Sequence, residues 1–266
     1  MKQRVFIPLF VSLPLLLTAP MSVAESVEGD RFSVSLGIFL TDRNTETRLD
    51  GSTGNGTNTD LERDLGLDAS DNVFRLDGYY RFNARHRLDF SVFDLSRSSS
   101  KQINRDIQWG ERLFVIDTVV EADFDLTIFK AAYTYSFMRR EHGYLGATLG
   151  VYTADTKVSL AEENLGQAEG SGITAPLPVI GLRGEYELSD KWSVRASSEF
   201  FFIEFDNVDG SLTDLYVGLD YAVFDSVSVG LGFNSVAFDV GVSKNDFQGS
   251  LDWKYTGGMI FLKFDF

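Results

Sequence analysis

Apolar side chains at every second position are the feature that most constrains this chain. In FSVSLGIFL one face carries only apolar residues from Phe32 to Leu40, and period-two runs of this kind recur down to the terminal GGMIFLKFDF. Because successive side chains of a strand point to opposite faces, such runs predict β-strands with one apolar face. We count ten strands, although the same pattern leaves eight or twelve open.

The connections between these runs alternate in length. Four are short, at 83–86, 138–143, 188–191 and 223–226. Five are longer and polar, at 42–72, 97–123, 161–173, 206–211 and 243–251. Tight periplasmic turns alternating with longer extracellular loops are typical of transmembrane barrels. A soluble β-sandwich also has alternating strands but does not require this asymmetry. The pattern therefore predicts an all-β, antiparallel transmembrane β-barrel, within which 105–124 could form a hairpin beyond the membrane.

The first 24 residues differ from the rest. A short basic tip is followed by an uncharged apolar run and by small residues at Ser22 and Ala24. This pattern predicts a cleaved signal peptide over 1–24 and a single barrel domain over 25–266. A membrane anchor is the alternative, but a spanning helix needs about 20 apolar residues.

The chain is strongly acidic, with a net charge of −15 and no cysteine. Nucleic acids are recognised by basic surfaces, so a nucleic-acid partner is excluded. Most of the acidic excess falls in the predicted extracellular segments, where it favours solubility. Divalent cations bridging these acidic loops to lipopolysaccharide are the alternative, with Asp50, Asn55, Asn58 and Asp60 as oxygen donors that lack a calcium-loop spacing.

Charged residues occupy the strand faces opposite the apolar ones. They are Arg75, Asp77, Arg81, Arg87, Asp89, Lys130, Arg183, Glu185, Glu187, Arg195, Glu199, Asp214, Asp220 and Lys263. Because a buried charge without a partner is costly, this balanced set predicts a network of ion pairs inside the barrel. Eight-stranded barrels are filled by side chains and open channels appear at about sixteen strands, so ten strands predict a filled lumen. A selective conduit is the alternative, but it would favour a ring of one sign.

The sequence offers little for catalysis. Its two histidines, His86 and His142, fall in predicted short turns on the periplasmic side. A Ser–His–Asp arrangement at the outer face cannot be built from them, nor can a metal site with histidine or cysteine ligands. We therefore predict no enzyme and no cofactor, with a lipid-modifying enzyme as the weaker alternative.

Pro176 and Pro178 lie at the outer end of a predicted strand, and neither can donate a ladder hydrogen bond. Either the strand begins after Pro178, or the wall is locally open there. An open wall would let a small apolar solute leave sideways into lipid.

The signal peptide, the alternating strands and a final strand ending in Phe resemble Gram-negative outer-membrane β-barrel proteins. The stretches LERDLGLD, FRLDGYYRFNARHRLDFS and FKAAYTYSF also resemble small opacity-like or porin-like barrels without assigned activity. The resemblance implies a bacterial outer-membrane location, contact with lipid and lipopolysaccharide, and recognition by the barrel-assembly machinery. The residues it implies for that recognition are Ile260, Leu262, Phe264 and Phe266.

The function predicted from these features is a non-enzymatic barrel with a filled lumen and acidic extracellular loops, serving the envelope or the cell surface. A narrow channel for small, perhaps apolar, solutes is the alternative.

Overall fold

The computed structural model describes residues 30–52, 54–163, 168–205, 208–244 and 247–266. The predicted signal peptide and its cleavage residues lie outside them. Ten long strands form the fold: β1 (Phe32–Asp50), β3 (Ser70–Arg81), β4 (His86–Gln102), β7 (Val119–Arg140), β8 (Gly143–Glu162), β9 (Ala168–Glu187), β10 (Trp192–Phe205), β11 (Val208–Phe224), β12 (Val227–Lys244) and β13 (Phe247–Asp265). Three short strands complete the set: β2 (Thr59–Asp60), β5 (Ile107–Trp109) and β6 (Arg112–Phe114). No helix in the described ranges is long and apolar enough to cross a membrane.

The ten long strands pair antiparallel with their neighbours in chain order, and β13 pairs with β1 to close the ring. The closing register runs from Ser33 opposite Asp265 to Asp50 opposite Gln248. The predicted fold and its count of ten strands are therefore confirmed. Closure removes free strand edges, which is what a sheet in lipid requires.

The four predicted tight turns join neighbouring strands at one end of the barrel, which we call the short-turn end. At the other end, which we call the loop end, the structure differs from the sequence prediction. Most of the predicted loops 161–173, 206–211 and 243–251 are strand, because β8 to β13 continue far beyond their apolar runs. All residues of 42–50 also belong to β1, although that stretch shows no apolar alternation.

Two connections at the loop end are long and folded. The segment 51–69 contains β2, and the segment 103–118 contains the separate hairpin β5–β6. Leu61, Leu65 and Ile107 from these two segments are completely or almost completely buried. The hairpin considered for 105–124 therefore exists, and it packs onto the barrel.

The exterior of the barrel is apolar only over its short-turn half. On β1 the exposed apolar residues run from Phe32 to Leu40, and those on β13 run from Ile260 to Phe266. We call this girdle of exposed apolar side chains the apolar belt. A barrel strand crosses the hydrocarbon core in about 9–11 tilted residues, so the belt has the height of a membrane.

Polarity is inverted above the belt. The outward positions become polar, as in Asp42 and Glu46 of β1 and Asp155 of β8. The inward positions become apolar, and Phe124, Leu126 and Leu160 are buried there. We call this part of the barrel, with the folded segments 51–69 and 103–118, the head. The head is built like a water-soluble protein, with an apolar core and a polar surface, whereas the belt region has the reverse arrangement.

Candidate functional site

The centre of the lumen holds a buried cluster of polar side chains from five strands. Lys130 contacts Glu199 directly and lies 3.7 Å from Asp214. The Tyr152 hydroxyl lies within hydrogen-bonding reach of both carboxylates, so they share its one hydrogen. Asn234 donates to Asp214 at 2.6 Å. Two carboxylates thus share one ammonium group and two neutral donors in a site that water barely reaches.

A second group lies nearer the short-turn end. Arg87 binds Asp89 at 2.6 Å, and Thr134 donates to Asp89 at 2.8 Å. Arg183 lies 3.7 Å from Asp89 and donates to Glu199 at 3.1 Å, so it joins the second group to the central cluster. Linked pairs of this kind hold each other in place, because removing one partner leaves a buried charge uncompensated.

Three further pairs surround these groups. Arg195 forms two hydrogen bonds to Asp220 at 2.8 and 3.0 Å, the bidentate geometry typical of arginine and carboxylate. Arg75 binds Asp77 at 3.0 Å. Lys263 binds Asp265 at 3.0 Å.

The remaining predicted lumen residues lie at the mouth. Arg81, Glu185, Glu187 and Lys263 line a polar vestibule of about 820 Å³ that opens at the short-turn end. Glu187 is exposed there and lies 3.8 Å from His142. Above the vestibule, a space among the charged residues measures about 60 Å³. The wide mouth therefore narrows abruptly where the ion pairs begin.

Several members of the network were missed by the sequence analysis. Asn234, Tyr152, Tyr255 and Thr134 are uncharged residues, and a search for charges passes over them. The available signal was position, since each stands on the inward face of its strand. Asn234 in particular interrupts the run VSVGLGFNSVAF with a polar residue at an inward position.

A layer of aromatic rings separates the charged lumen from the head. Tyr255 packs edge-on against Phe39 at 5.2 Å between ring centroids and against Phe93 at 5.7 Å. Trp253 lies 4.8 Å from Tyr255 on the head side. The Tyr255 hydroxyl reaches down to Asn234 at 2.9 Å, so this ring has an apolar face in the head and a polar tip in the network.

Segment 51–69 is anchored in the head by a buried arginine. Arg97 binds Glu62, donates to Thr45 at 2.8 Å and to the Asp68 carbonyl at 3.1 Å, and lies over the ring of Phe124 at 4.7 Å. The LERDLGLD stretch that contains Glu62 thus closes the loop end of the barrel.

Charged contacts in the same segment lower the pKa of a carboxyl group, that of Asp64. Burial opposes ionisation of Asp64, but hydrogen bonds from Arg63 at 3.1 Å and Arg105 at 2.5 Å outweigh it and lower the pKa of the Asp64 carboxyl. Arg105 precedes β5, so this contact also ties the two folded segments of the head together.

The head contains a cavity of about 60 Å³. Its walls are mainly apolar and come from β1, β8, β9, β12, β13 and the β5–β6 hairpin. Six of the lining residues are Leu49, Trp109, Ala154, Thr156, Phe238 and Val240. Neither the cavity nor the part played by Trp109 was predicted from the sequence, because Trp109 belongs to no strand of the barrel.

Among the described residues, β9 and β10 pair over only part of their length. Their described pairing starts at Glu187 and Ser193 and stops at Ile180 and Phe200. Beyond that point β9 continues to pair with β8 through Pro178 and Pro176. The strand therefore does not begin after Pro178. Prolines in sheets are confined to edges, and here they stand on the stretch of β9 that has no described β10 partner.

The histidines lie at the short-turn end, on the side predicted. His86 is the first residue of β4 rather than a turn residue, and its ring contacts the hydroxyl of Tyr133 in the apolar belt. His142 lies in the turn between β7 and β8. In the described ranges, no group of three or more His, Cys, Asp or Glu side chains is placed to hold a metal ion.

The acidic residues of the head lie largely on the outer wall of strands rather than in loops. Asp50 binds Arg48 at 2.7 Å, and Asp60 accepts the backbone N–H of Arg63, so the two carboxylates among the four donors considered for a cation have protein partners. Asp239 of β12 faces Asp252 of β13 across the strand pair. Burial and the nearby Asp252 and Asp209 raise the pKa of Asp239, and Lys254 offsets this only in part.

The residues considered for assembly face outward. Ile260, Leu262 and Phe266 are exposed in the apolar belt, with Phe264 partly covered between them. Arg31 and Phe32 both donate backbone N–H groups to the Phe266 carbonyl, at 2.9 and 3.1 Å. Recognition by assembly machinery remains a prediction.

Comparisons with known proteins support the fold. No family model and no curated protein matches this sequence. Among solved structures, the outer membrane protease OmpT from Escherichia coli is 11% identical with a TM-score of 0.58, covering 91% of this chain and 99% of its own. At this identity the likeness concerns the fold.

Two further solved structures are less similar. Ail, the attachment invasion locus protein of Yersinia pestis, is 13% identical with a TM-score of 0.38, covering 86% of this chain and 99% of its own. The toluene transporter TodX of Pseudomonas putida is 8% identical with a TM-score of 0.33, covering 90% of each chain. These two scores are too low to carry an argument.

The chain is thus an outer-membrane β-barrel. Its exposed apolar belt requires lipid, and single-chain transmembrane barrels of this type belong to bacterial outer membranes. The predicted location is accordingly the bacterial outer membrane.

Proposed function

We propose that this protein is a non-enzymatic surface barrel: a closed membrane anchor that displays a rigid head outside the cell. The observation that carries the proposal is that, above the vestibule, side chains and folded segments obstruct the lumen in successive layers. Ion pairs occupy the belt region, aromatic rings lie above them, and segments 51–69 and 103–118 pack into the head.

The polarity of the outer wall supports a role for the head at the surface. Strands β7 and β8 carry exposed charged residues well beyond the belt, including Glu121, Asp123 and Asp155. A barrel that only had to cross the membrane would not need this extension. The acidic wall offers a surface to a cationic partner, or to divalent cations that bridge it to lipopolysaccharide phosphates.

The non-enzymatic part of the proposal is supported by the location of the histidines. Both lie at the short-turn end, away from the acidic head, and His86 is occupied with Tyr133. The buried carboxylates of the lumen are held by ion pairs and hydrogen bonds and are not presented to a substrate.

Conductance tests the closed lumen. Residues 25–266 are refolded, shown to be folded by heat-modifiable mobility, and inserted in a planar bilayer. We expect no steady current, because the ion pairs leave only a space of about 60 Å³. A steady open current from folded protein would contradict the closed anchor.

Labelling of intact cells tests the display of the head. The chain has no cysteine, so a single introduced cysteine reports its own side of the membrane. Asp155→Cys on the outer wall of β8 should react with a membrane-impermeant maleimide. Asp190→Cys, equally exposed but in a short turn, is the matched control and should not react. If Asp190→Cys reacted and Asp155→Cys did not, the short-turn end rather than the head would face the outside of the cell.

A second candidate function is lateral passage of small apolar solutes, favoured by the break between β9 and β10. The break begins at the upper rim of the belt, next to Ile180 and the exposed Phe202. Pro176→Cys with Glu204→Cys would allow a bifunctional maleimide to bridge it. If the break is a route, bridging should slow transfer of an apolar dye into vesicles, whereas either single variant should not respond.

A further inference from the structure

We propose that a groove on the outer wall of the barrel binds one phospholipid molecule at the short-turn end, with an acyl chain in the groove and the phosphate against Arg140. The inference goes beyond the surface role above, because it concerns the opposite end of the barrel. It does not depend on which side of the membrane the head faces. The groove has a volume of about 300 Å³ and lies near the short-turn ends of β7, β8, β9 and β10.

The groove exists because two small residues stand side by side in the apolar belt. In one outward row, Leu145 of β8 pairs with Gly184 of β9, and Gly184 pairs with Ala196 of β10. In another outward row of the same strands, Leu149 pairs with Ile180, and both side chains are large and exposed. The row with the small residues therefore leaves a depression in the belt, and in a bilayer a lipid chain fills it.

The outward walls of the groove are apolar. Met138, Tyr186 and Val194 line it together with the small residues, and the first two of these side chains are exposed to lipid. The volume is about twice the roughly 150 Å³ of an engineered apolar cavity that holds benzene, so the groove accommodates a length of hydrocarbon chain. Because the surrounding surface is the apolar belt, a lipid of the adjoining leaflet reaches the groove without leaving the membrane.

A β-bulge turns Arg140 toward this groove. Thr134 and Ser136 of β7 are buried inside the barrel, so regular alternation would place Arg140 inside as well. The register with β8 shifts between Ser136 and Met138, and beyond the shift Arg140 pairs with Gly143, at an outward position. Bulges in strands commonly re-aim a side chain in this way. Arg140 is accordingly exposed, and it lines the groove.

Arg140 supplies the charge that a phosphate requires. Within the described residues, its side chain has no ion-pair partner. Glu185 and Arg195 also line the groove, but they stand at inward positions of their strands, and Arg195 is bound to Asp220 in the lumen. A guanidinium group presents its donors in a plane and can bind two phosphate oxygens at once. The groove therefore offers an apolar channel with one outward cation at its rim.

The groove lies at the depth where lipid headgroups begin. Gly143 is the first residue of β8, and Trp192, the first residue of β10, packs against Tyr221 at 4.8 Å between ring centroids. Tryptophan and tyrosine gather at the interface between hydrocarbon and headgroups. Tyr186 packs beside Gly143 at the same level. A lipid whose phosphate meets Arg140 at this level has its acyl chains alongside the groove.

Native mass spectrometry of refolded residues 25–266 in detergent tests the site. The protein is mixed with dioleoylphosphatidylglycerol and, in parallel, with dioleoylglycerol, which has the same chains but no phosphate. We expect one phosphatidylglycerol molecule to be retained at a low ratio of lipid to protein, and dioleoylglycerol to be retained about three- to tenfold less. Free glycerol 3-phosphate should not compete, since it lacks the chain that fills the groove.

Two pairs of variants separate the phosphate contact from the groove. Arg140→Gln removes the charge and should lower retention of phosphatidylglycerol about three- to tenfold. Arg85→Gln, exposed in a neighbouring turn but outside the groove, should leave it unchanged. Ala196→Leu fills the groove and should lower retention of both lipids, whereas Ala147→Leu, exposed in the belt outside the groove, should not. Heat-modifiable mobility shows that each variant is folded, and if one pair does not refold the other decides.

Two outcomes would overturn the proposal. Equal retention of the two lipids, unchanged by Arg140→Gln, would mean that the phosphate is not recognised. Retention by Ala196→Leu at the wild-type level would mean that the lipid binds elsewhere on the apolar belt.

Discussion

Asn234 binds Asp214 with one of its amide hydrogens at 2.6 Å, and its other three hydrogen-bonding positions are also filled. The second hydrogen goes to the Leu215 carbonyl at 2.7 Å, and the amide oxygen accepts from Arg75 at 2.6 Å and Tyr255 at 2.9 Å. An asparagine side chain offers two donors and two acceptor sites, so Asn234 is completely satisfied. It connects the carboxylate of Asp214 to the guanidinium of Arg75 and the phenol of Tyr255.

Replacement of Asn234 should therefore destabilise the barrel more than its neutral character suggests. Asn234→Leu leaves Asp214, Arg75 and Tyr255 each short of a partner, at a cost of about 2–4 kcal/mol in the free energy of unfolding. Urea unfolding in lipid or detergent measures it. The matched control is Ser235→Ala, which loses only the exposed contact to Thr256 and should change stability by less than about 0.5 kcal/mol. If Asn234→Leu and Ser235→Ala changed the free energy of unfolding equally, Asn234 would not be central to the network.

Arg97 should control the closure of the loop end. Arg97→Ala removes the contacts to Glu62, Thr45 and the Asp68 carbonyl, so we expect segment 51–69 to become sensitive to proteinase K while the ten strands stay protected. Arg63→Ala, in the same segment but with a side chain that is 68% exposed, is the control and should cut at the wild-type rate. Wild-type resistance of Arg97→Ala would show that the apolar contacts alone hold the segment.

The outer wall of the head predicts a pH effect. Because the pKa of Asp239 is raised in the folded protein, folding favours the protonated form, and the cost of its charge is fully present above the folded pKa. Asp239→Asn should therefore raise the free energy of unfolding at pH 7, measured by urea unfolding. The gain should be about a few tenths of a kcal/mol at this exposed site, and it should fade toward pH 4. Asp239→Glu keeps the charge and should gain nothing. A gain that grows on acidification would contradict the sign.

Two changes at Phe266 distinguish the contribution of its ring to assembly from that of its backbone hydrogen bonds. Phe266→Ala keeps the backbone bonds to Arg31 and Phe32 and removes only the exposed ring, whereas deletion of Phe266 removes both. If assembly reads the ring, both changes should lower the amount of folded barrel in the outer membrane by a similar factor, scored by heat-modifiable mobility. Insertion of both at the wild-type level would end the assembly hypothesis.

Sequence patterns predicted the belt region well because lipid imposes them. Every outward residue between Phe32 and Leu40 meets either hydrocarbon or its interface, so period two appears in the local sequence. The stretch 42–50 is strand for another reason. It pairs with β13 through partners such as Trp253 and Tyr255, which are distant in sequence. Such a strand carries no local signal, and the head was for that reason predicted as loops.

The lumen shows the same limit at the level of side chains. Inward position predicted which charges enter the barrel, since strand parity settles it. Which charge meets which depends on the stagger of ten strands, and a cluster such as Lys130, Glu199 and Asp214 joins three of them. The cavity beside Trp109 depends in addition on how a hairpin folds over the barrel, which strand periodicity does not describe.

The reversal of polarity halfway along each strand has a consequence for how the protein sits in its bilayer. If the barrel moved inward by one pair of residues, Asp42 and Asp155 would approach hydrocarbon. A lysine or arginine costs about 2–4 kcal/mol at the midplane, and an aspartate costs less but is still unfavourable. If it moved outward, Leu40 and Ile180 would meet water. The change from apolar to polar outward residues, seen on β1 and β8, thus fixes the depth of the barrel in the bilayer. It holds the head at a set distance above the lipid without any separate tether.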